Sequence, residues 1–261
     1  MGWKYVYTSA PGTYHSKVGI PCQDTCGCRV IYTVDGEPVL VAVASDGAGS
    51  ARYSQIGSKL ACSILLKEAG RFIKSGNNVS DFTRTVAENI ITKFQNEVLK
   101  YADSMGTKNS DFACTLLVAI VGTRETAVFQ IGDGAIVISK HQETDYSYSW
   151  VFWPGNGEYE NMTHFAVEPI SSFINMEYIL IEGTIDEVAI FTDGIQRLAL
   201  HYQSRTAYVP FFKPIFSYLR SSPYGCFYRL QNSVSSFLNS KRVNDRTDDD
   251  KTLIIASRYS K

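Results

Sequence analysis

The chain has 261 residues, 44% of them hydrophobic and 20% charged, with 25 basic and 26 acidic side chains and a formal net charge of −1. That balance is ordinary for a globular protein; it excludes a disordered body and lacks the basic footprint of a nucleic-acid binder. The opening Met1-Gly2-Trp3-Lys4-Tyr5 has no apolar signal core, Val6 stands where a myristoylation signal needs Ser or Thr, and no apolar run approaches the ~18 residues of a membrane span.

The expectation is therefore one domain over residues 1–261, soluble and cytoplasmic, with neither nucleic acid nor membrane as partner. Residues 30–33 and 39–44 read as a β-hairpin around the Asp35-Gly36 turn. The second of these runs is apolar almost throughout, which predicts a strand buried on both faces. Ile56, Leu60 and Ile64 recur every four residues and predict a helix. Phe82, Val86, Ile90, Phe94 and Val98 predict a second, with Ser80 as its N-cap.

Strands return over residues 112–121, 126–131 and 135–139, punctuated by Gly122 and by Gly132-Asp133-Gly134. Residues 141–185, rich in Tyr, Trp and Glu, read as an irregular strand-and-loop insert. Its Tyr146, Tyr148, Trp150 and Trp153 suit either a substrate groove or the packed face of a strand. A short strand over 187–192, helices over 207–220 and 227–238, a polar loop over 241–250 and a last strand over 252–257 complete the chain. Helices fall in pairs between groups of strands. This order predicts an α+β fold of two antiparallel sheets covered by helices, not a doubly wound parallel sheet.

Of the six cysteines, Cys62 and Cys114 sit among apolar residues and read as small core hydrophobes. Cys22, Cys26 and Cys28 lack the paired C-x-x-C spacing of a zinc site, and with Cys226 they make an even count that, without a secretion signal, does not imply disulfides. The histidines, His15, His141, His164 and His201, show no His-x-x-x-His spacing of a zinc hydrolase.

The residues that point to chemistry are acidic and stand where strands stop. Asp46 follows the apolar run ending at Ser45, Asp193 follows Phe191-Thr192, and Asp133 follows Ile131-Gly132; each precedes a glycine. Asp249 and Asp250 precede the last strand, and Asp24 precedes the first hairpin. Any one Asp-Gly reads as a turn dipeptide. Three of them at the ends of core strands imply carboxylates that need a positive partner, because burial penalises an unpaired charge. Oxygen-only ligands suit Mg²⁺ or Mn²⁺ better than zinc.

These motifs resemble the protein phosphatase 2C family. Asp46-Gly-Ala-Gly-Ser50 is similar to its Asp-Gly-x-Gly-Gly loop, Phe112-Ala-Cys-Thr115 to its Gly-Thr-Thr strand, and Gly132-Asp133-Gly134 to its Gly-Asp-Ser-Arg motif. Phe191-Thr-Asp193-Gly resembles the Ser-Asp-Gly motif, Asp249-Asp-Lys-Thr252 the Asp-Asn-x-Thr motif, and Gln23-Asp24 the acidic pair near the start. The order holds from about Gly12 to Ser257, and the opening His15-x-Lys17-x-Gly19-x-x-Cys22-Gln23-Asp24 looks most like short, single-domain bacterial members.

The resemblance implies a four-layer αββα sandwich with two Mn²⁺ or Mg²⁺ ions in the cleft between the sheets and a third, weaker site. Asp46 would bridge both ions, the Gly47 carbonyl would bind one, and Asp193 and Asp249 would hold the other. Asp24 would orient a metal-bound water, and Asp133 with Asp193 would contribute to the third site. The activity implied is hydrolysis of phosphoserine and phosphothreonine in protein substrates, in partnership with a cognate kinase. Two further readings share the fold: a non-catalytic relative that binds a phosphoprotein or kinase, and a phosphatase for a small phosphorylated molecule.

The chain departs from the family pattern in its phosphate grip. The family has an Arg ahead of the acidic pair, and here the nearby candidates are His15 and Lys17; His15 is a candidate both for phosphate binding and for leaving-group protonation. Ala135 or Ile136 replaces the Arg of Gly-Asp-Ser-Arg, Arg197 stands near the place of a second Asp, and Arg52 is a substitute cation. Within the acidic run, Asp249 falls at the ligand position and Asp250 where the family has Asn, so the neighbour is expected to tolerate substitution.

Overall fold

The computed structural model describes residues 2–141, 146–154, 163–169, 174–223 and 227–259. In chain order the first half holds β1 (Gly2–Ala10), α1 (Thr13–Val18), β2 (Thr25–Tyr32), β3 (Pro38–Ser45), α2 (Ser54–Lys74), α3 (Arg84–Met105), β4 (Leu116–Val121) and β5 (Glu125–Ile131). The second holds β6 (Ala135–His141), β7 (Tyr146–Trp150), β8 (Glu177–Glu182), β9 (Glu187–Phe191), α4 (Asp193–Ala199), β10 (Leu200–His201) and β11 (Thr206–Ala207), then α5 (Val209–Ser221), α6 (Phe227–Leu238), α7 (Lys241–Asn244) and β12 (Lys251–Tyr259).

Two five-stranded sheets form, in the orders β1-β12-β9-β6-β7 and β2-β3-β4-β5-β8, and every neighbouring pair in them is antiparallel. The period-two alternation of a strand explains the layering. In β3, Val39, Val41 and Val43 face α2 and α3, whereas Leu40, Ala42 and Ala44 face the other sheet. In β12, Leu253 and Ile255 face α4, α5 and α6, whereas Ile254 and Ala256 face inward. Three apolar clusters result: helix against sheet on each outside, sheet against sheet between them. This is the αββα sandwich, and β3 is buried on both faces as its composition predicts.

Some local expectations shift. The N-terminal strand β1 carries Lys4, Tyr5 and Tyr7, too polar to read as core, yet it pairs with β12 along its whole length from Gly2↔Tyr259 to Ala10↔Lys251. Ser80 lies in a 3-10 turn (Val79–Asp81), and the cap of α3 is Thr83, whose hydroxyl accepts from Val86 N. The polar run before β12 contains the short helix α7. Tyr148 stacks on Phe212 and Phe216 with ring centroids 5.4 and 5.6 Å away, and Trp153 is buried, so these two aromatics belong to the packed face beneath α5. Cys226 and the side chain of Tyr146 lie outside the described residues. Among the described residues no helix is long and apolar enough to cross a membrane.

Candidate metal centre

The ladder registers decide which strand ends meet. Thr25 pairs with Ser45, so Asp24 and Asp46 flank one end of the β2–β3 ladder. Phe191 pairs with both Leu253 and Ala135, so Asp193, Asp249 and Asp133 flank the corresponding end of the other sheet. Beyond β3 the chain is stitched to the segment entering β4. Ser45 Oγ donates to the Thr115 carbonyl at 2.6 Å, Asp46 N donates to Thr115 Oγ1 at 3.0 Å, and Thr115 N donates to the Asp46 carbonyl at 2.8 Å. The bridge between Gly47 and Cys114 uses the Ala48 N to Ala113 O bond on its other side and leaves the Gly47 carbonyl out.

Two glycines permit the close approach. A Cβ on Gly47 would stand 2.7 Å from the Gln23 carbonyl oxygen, and one on Gly194 would stand 2.0 Å from that of Asp250. Both distances lie inside van der Waals contact, so a side chain at either position would push the carboxylate-bearing segments apart.

The carboxylates crowd one another. Asp46 lies within hydrogen-bonding reach of both Asp24 and Asp193. Burial, helped by the charge of Asp250, pushes the Asp24 carboxyl up to about 7, opposed by the nearby polar side chains of Asp46, Thr192 and Thr252, of which Thr192 hydrogen-bonds to it. Burial and the charges of Asp24, Asp193 and Asp249 raise Asp46 well above the carboxylate range. Burial and the charges of Asp249 and Asp133 push Asp193 up to about 6. Two carboxyls in contact need a proton between them, or another positive charge in its place.

Two buried oxygens, Asp24 Oδ1 and Asp193 Oδ1, have no hydrogen-bond partner. Orphaned anionic acceptors at the centre of a like-charged cluster are what a cation would satisfy. Among the described residues no three His, Cys, Asp or Glu side chains stand in a finished metal cage. The residues present fit divalent ions with oxygen ligands.

The remaining predicted residues divide. His15 is buried on α1, with Nδ1 2.8 Å from Asp250 Oδ1, off the line of a directed ring N–H bond. Its charge reaches Asp249. Lys17 is exposed and makes no hydrogen bond or ion pair among the described residues. Asp133 accepts from Thr163 Oγ1 at 2.8 Å, and its backbone carbonyl accepts from Gln196 Nε2. Ala135 and Ile136 are fully buried in β6, so no cation enters from there. Arg52 is exposed and lies over the ring of Tyr53, 5.1 Å from its centroid. Arg197 is exposed on α4.

Asp250 has a role that the sequence did not reveal. It accepts from Gly12 N through Oδ1 and from Gln23 N through Oδ2, both at 2.6 Å, and it is buried. It therefore ties the loop before α1 to the segment carrying Asp24, and the expectation that it tolerates substitution is corrected. Thr192 was also missed: its hydroxyl donates to Asp24 Oδ2 and accepts from Thr252 N. Its place beside the Thr-Asp-Gly motif was visible, but its partner 168 residues away was not.

Residues 11–239 match the family model described as protein phosphatase 2C. The chain is 34% identical over 257 residues to serine/threonine-protein phosphatase 3 of Escherichia coli (strain K12), covering 98% of each. Among solved structures, the serine/threonine phosphatase Stp1 from Staphylococcus aureus superposes with a TM-score of 0.60 at 12% identity, over 98% of this chain and 95% of that one. A serine-threonine phosphatase 2C from Toxoplasma gondii gives 0.61 at 10% identity, over 98% and 94%. At such identities the structures speak to the fold alone.

Proposed function

Since the chain belongs to the protein phosphatase 2C family, we propose that this protein phosphatase hydrolyses phosphoserine and phosphothreonine monoesters in proteins with the help of two divalent cations, Mn²⁺ or Mg²⁺. The observation that carries the metal dependence is the pair of orphaned oxygens, Asp24 Oδ1 and Asp193 Oδ1, within a cluster of carboxyls that crowd one another. Bound divalent ions supply Lewis-acid activation of water and neutralise charge on the phosphoryl oxygens.

The chain's own residues then divide the work. Asp46, central to the cluster, would bridge the two ions. The Gly47 carbonyl would serve one of them, and Asp193 with Asp249 the other. Asp133, held by Thr163, would contribute with Asp193 to a weaker third site. Asp24 keeps one oxygen on Thr192 and leaves Oδ1 free to orient a water and accept its proton. His15, 2.8 Å from Asp250, would be the side chain that meets the phosphoryl group or the leaving oxygen.

Turnover of p-nitrophenyl phosphate and of phosphoserine and phosphothreonine peptides tests the reading. Activity should vanish in EDTA and return with Mn²⁺ or Mg²⁺. Full activity in chelator would overturn the metal requirement. Turnover of p-nitrophenyl phosphate but of no phosphopeptide would overturn the substrate class.

A further inference from the structure

Lys251, the first residue of β12, is fully buried, and among the described residues no other lysine or arginine is. An interior ammonium is costly, and an apolar side chain would fill the same space without that cost, so its partners show what it does. Nζ donates to the Pro11 carbonyl at 3.1 Å and to Asn244 Oδ1 at 2.9 Å. Burial disfavours its charge, and the carboxylates of Asp250 and Asp249 favour it.

The two acceptors belong to the two segments that flank the acidic run. Asn244 is the last residue of α7, from which the chain returns to Asp249. Pro11 leads into α1. The Pro11–Gly12 peptide group is held at both ends: its carbonyl accepts from Lys251, and its N–H donates to Asp250 Oδ1 at 2.6 Å. That same carboxylate oxygen lies 2.8 Å from His15 Nδ1. Tyr14 N donates to the Asp248 carbonyl at 3.1 Å, and a Cβ on Gly12 would stand 2.3 Å from that oxygen, so the approach needs glycine. Helix α1 has six residues and no side-chain cap, too short to hold its own shape. Its contacts with residues 248–251 therefore decide where it sits.

We propose that Lys251 is a positioning residue for the reaction. Its ammonium pins the Pro11–Gly12 peptide to α7 and thereby seats His15 against Asp250, next to Asp249. This rests on the reading in which His15 meets the phosphoryl group or the leaving oxygen. Without the ammonium the peptide keeps its bond to Asp250 alone, and α1 can shift relative to the carboxylates. A shift of an ångström at a substrate contact is enough to slow a reaction by one to two powers of ten.

Lys251→Met keeps the length of the side chain and removes the ammonium. With Mn²⁺ saturating, it should lower kcat/KM on phosphopeptides by ~10- to 100-fold. Added to His15→Ala it should cost almost nothing more, because a contact already removed cannot be misplaced. Amide exchange followed by NMR in EDTA supplies a readout free of catalysis. Gly12 and Tyr14 should lose protection in Lys251→Met, while the amides of β3 keep theirs. Asn244→Ala removes one acceptor and keeps the buried charge; it should move both readouts the same way, and it serves if Lys251→Met does not fold. Losses that multiply in the double variant would overturn the proposal, marking a role in stability alone, as would Gly12 and Tyr14 amides protected as in wild type. His15→Ala with wild-type kinetics would instead overturn the reading of His15, and the proposal with it.

Discussion

Thr192 donates its hydroxyl to Asp24 Oδ2 at 2.8 Å and accepts from Thr252 N at 3.1 Å. One side chain thus joins the acid before β2, the end of β9 and the start of β12, elements of both sheets. It fixes the rotamer of Asp24 and leaves the second oxygen, Oδ1, free for chemistry.

The Thr192 bond also lowers the Asp24 carboxyl, opposing the burial that raises it. Thr192→Val should remove that opposition and push the Asp24 pKa higher. A base with a higher pKa is deprotonated only at higher pH, so the acid limb of the kcat/KM profile should move up in pH. The buried oxygen left unpaired should also cost about 1–3 kcal/mol of stability. An acid limb at its wild-type position would take Asp24 out of the proton-accepting role.

The clustered carboxyls make a stability prediction for the metal-free protein. Asp24 and Asp193 have folded-state values of about 7 and about 6, both above the usual 3.8. The folded state therefore holds protons that the unfolded chain has released, and stability should fall as pH rises from about 4 to about 7. Asp46→Asn removes one charge from the crowd. In EDTA at pH 7 it should melt higher than wild type while having no activity with Mn²⁺. Melting curves with and without Mn²⁺ check both signs; a wild type equally stable in EDTA at pH 4 and pH 7 would contradict the picture.

Asp249 and Asp250 are adjacent but should fail differently. Asp250 receives two backbone N–H groups at 2.6 Å, and an amide nitrogen in place of either oxygen would face a donor with a donor. Asp250→Asn should lose ~1–3 kcal/mol, about 3–10 °C in a chain of this size. Asp249→Asn, exposed and bonded through one oxygen to Asp250 N, should keep the wild-type melting temperature in EDTA but lose turnover and Mn²⁺ affinity. Thermal melts and calorimetric Mn²⁺ titration separate the two, and the reverse ranking would shift the ligand assignment by one residue.

His15 and Lys17, alike in sequence as candidate phosphate contacts, should separate as well. His15→Ala should lose about one to two powers of ten in kcat/KM on phosphopeptides, the value of a charge-assisted bond, with Mn²⁺ affinity near wild type. Lys17→Ala should stay close to wild type, because an exposed ammonium is hydrated and screened. Steady-state kinetics at two salt concentrations would check this; a larger loss at Lys17 than at His15 would reverse the assignment.

Much of this molecule can be read from the order of its residues. Val39 to Ala44 announces a strand with no exposed face, because alternate residues of one strand must serve two cores. Asp46, Asp133 and Asp193 announce themselves because a carboxylate beside a buried strand, followed by glycine, is costly without a partner. Ile56, Leu60 and Ile64 mark α2 because a helix repeats at about four residues. Strand β1 did not show itself, since Lys4, Tyr5 and Tyr7 break the apolar pattern and its pairing with β12 links residues at opposite ends of the chain.

Tertiary structure alone decided which polar groups meet. Local pattern carries no information about hydrogen bonds such as Thr192 to Asp24 or Gly12 N to Asp250, whose partners are separated by 168 and 238 residues. Sequence periodicity reports which face of an element is buried, because burial depends on a residue's own neighbours along the chain. Which charges face one another depends on sheet register and helix packing, and only the folded chain sets those.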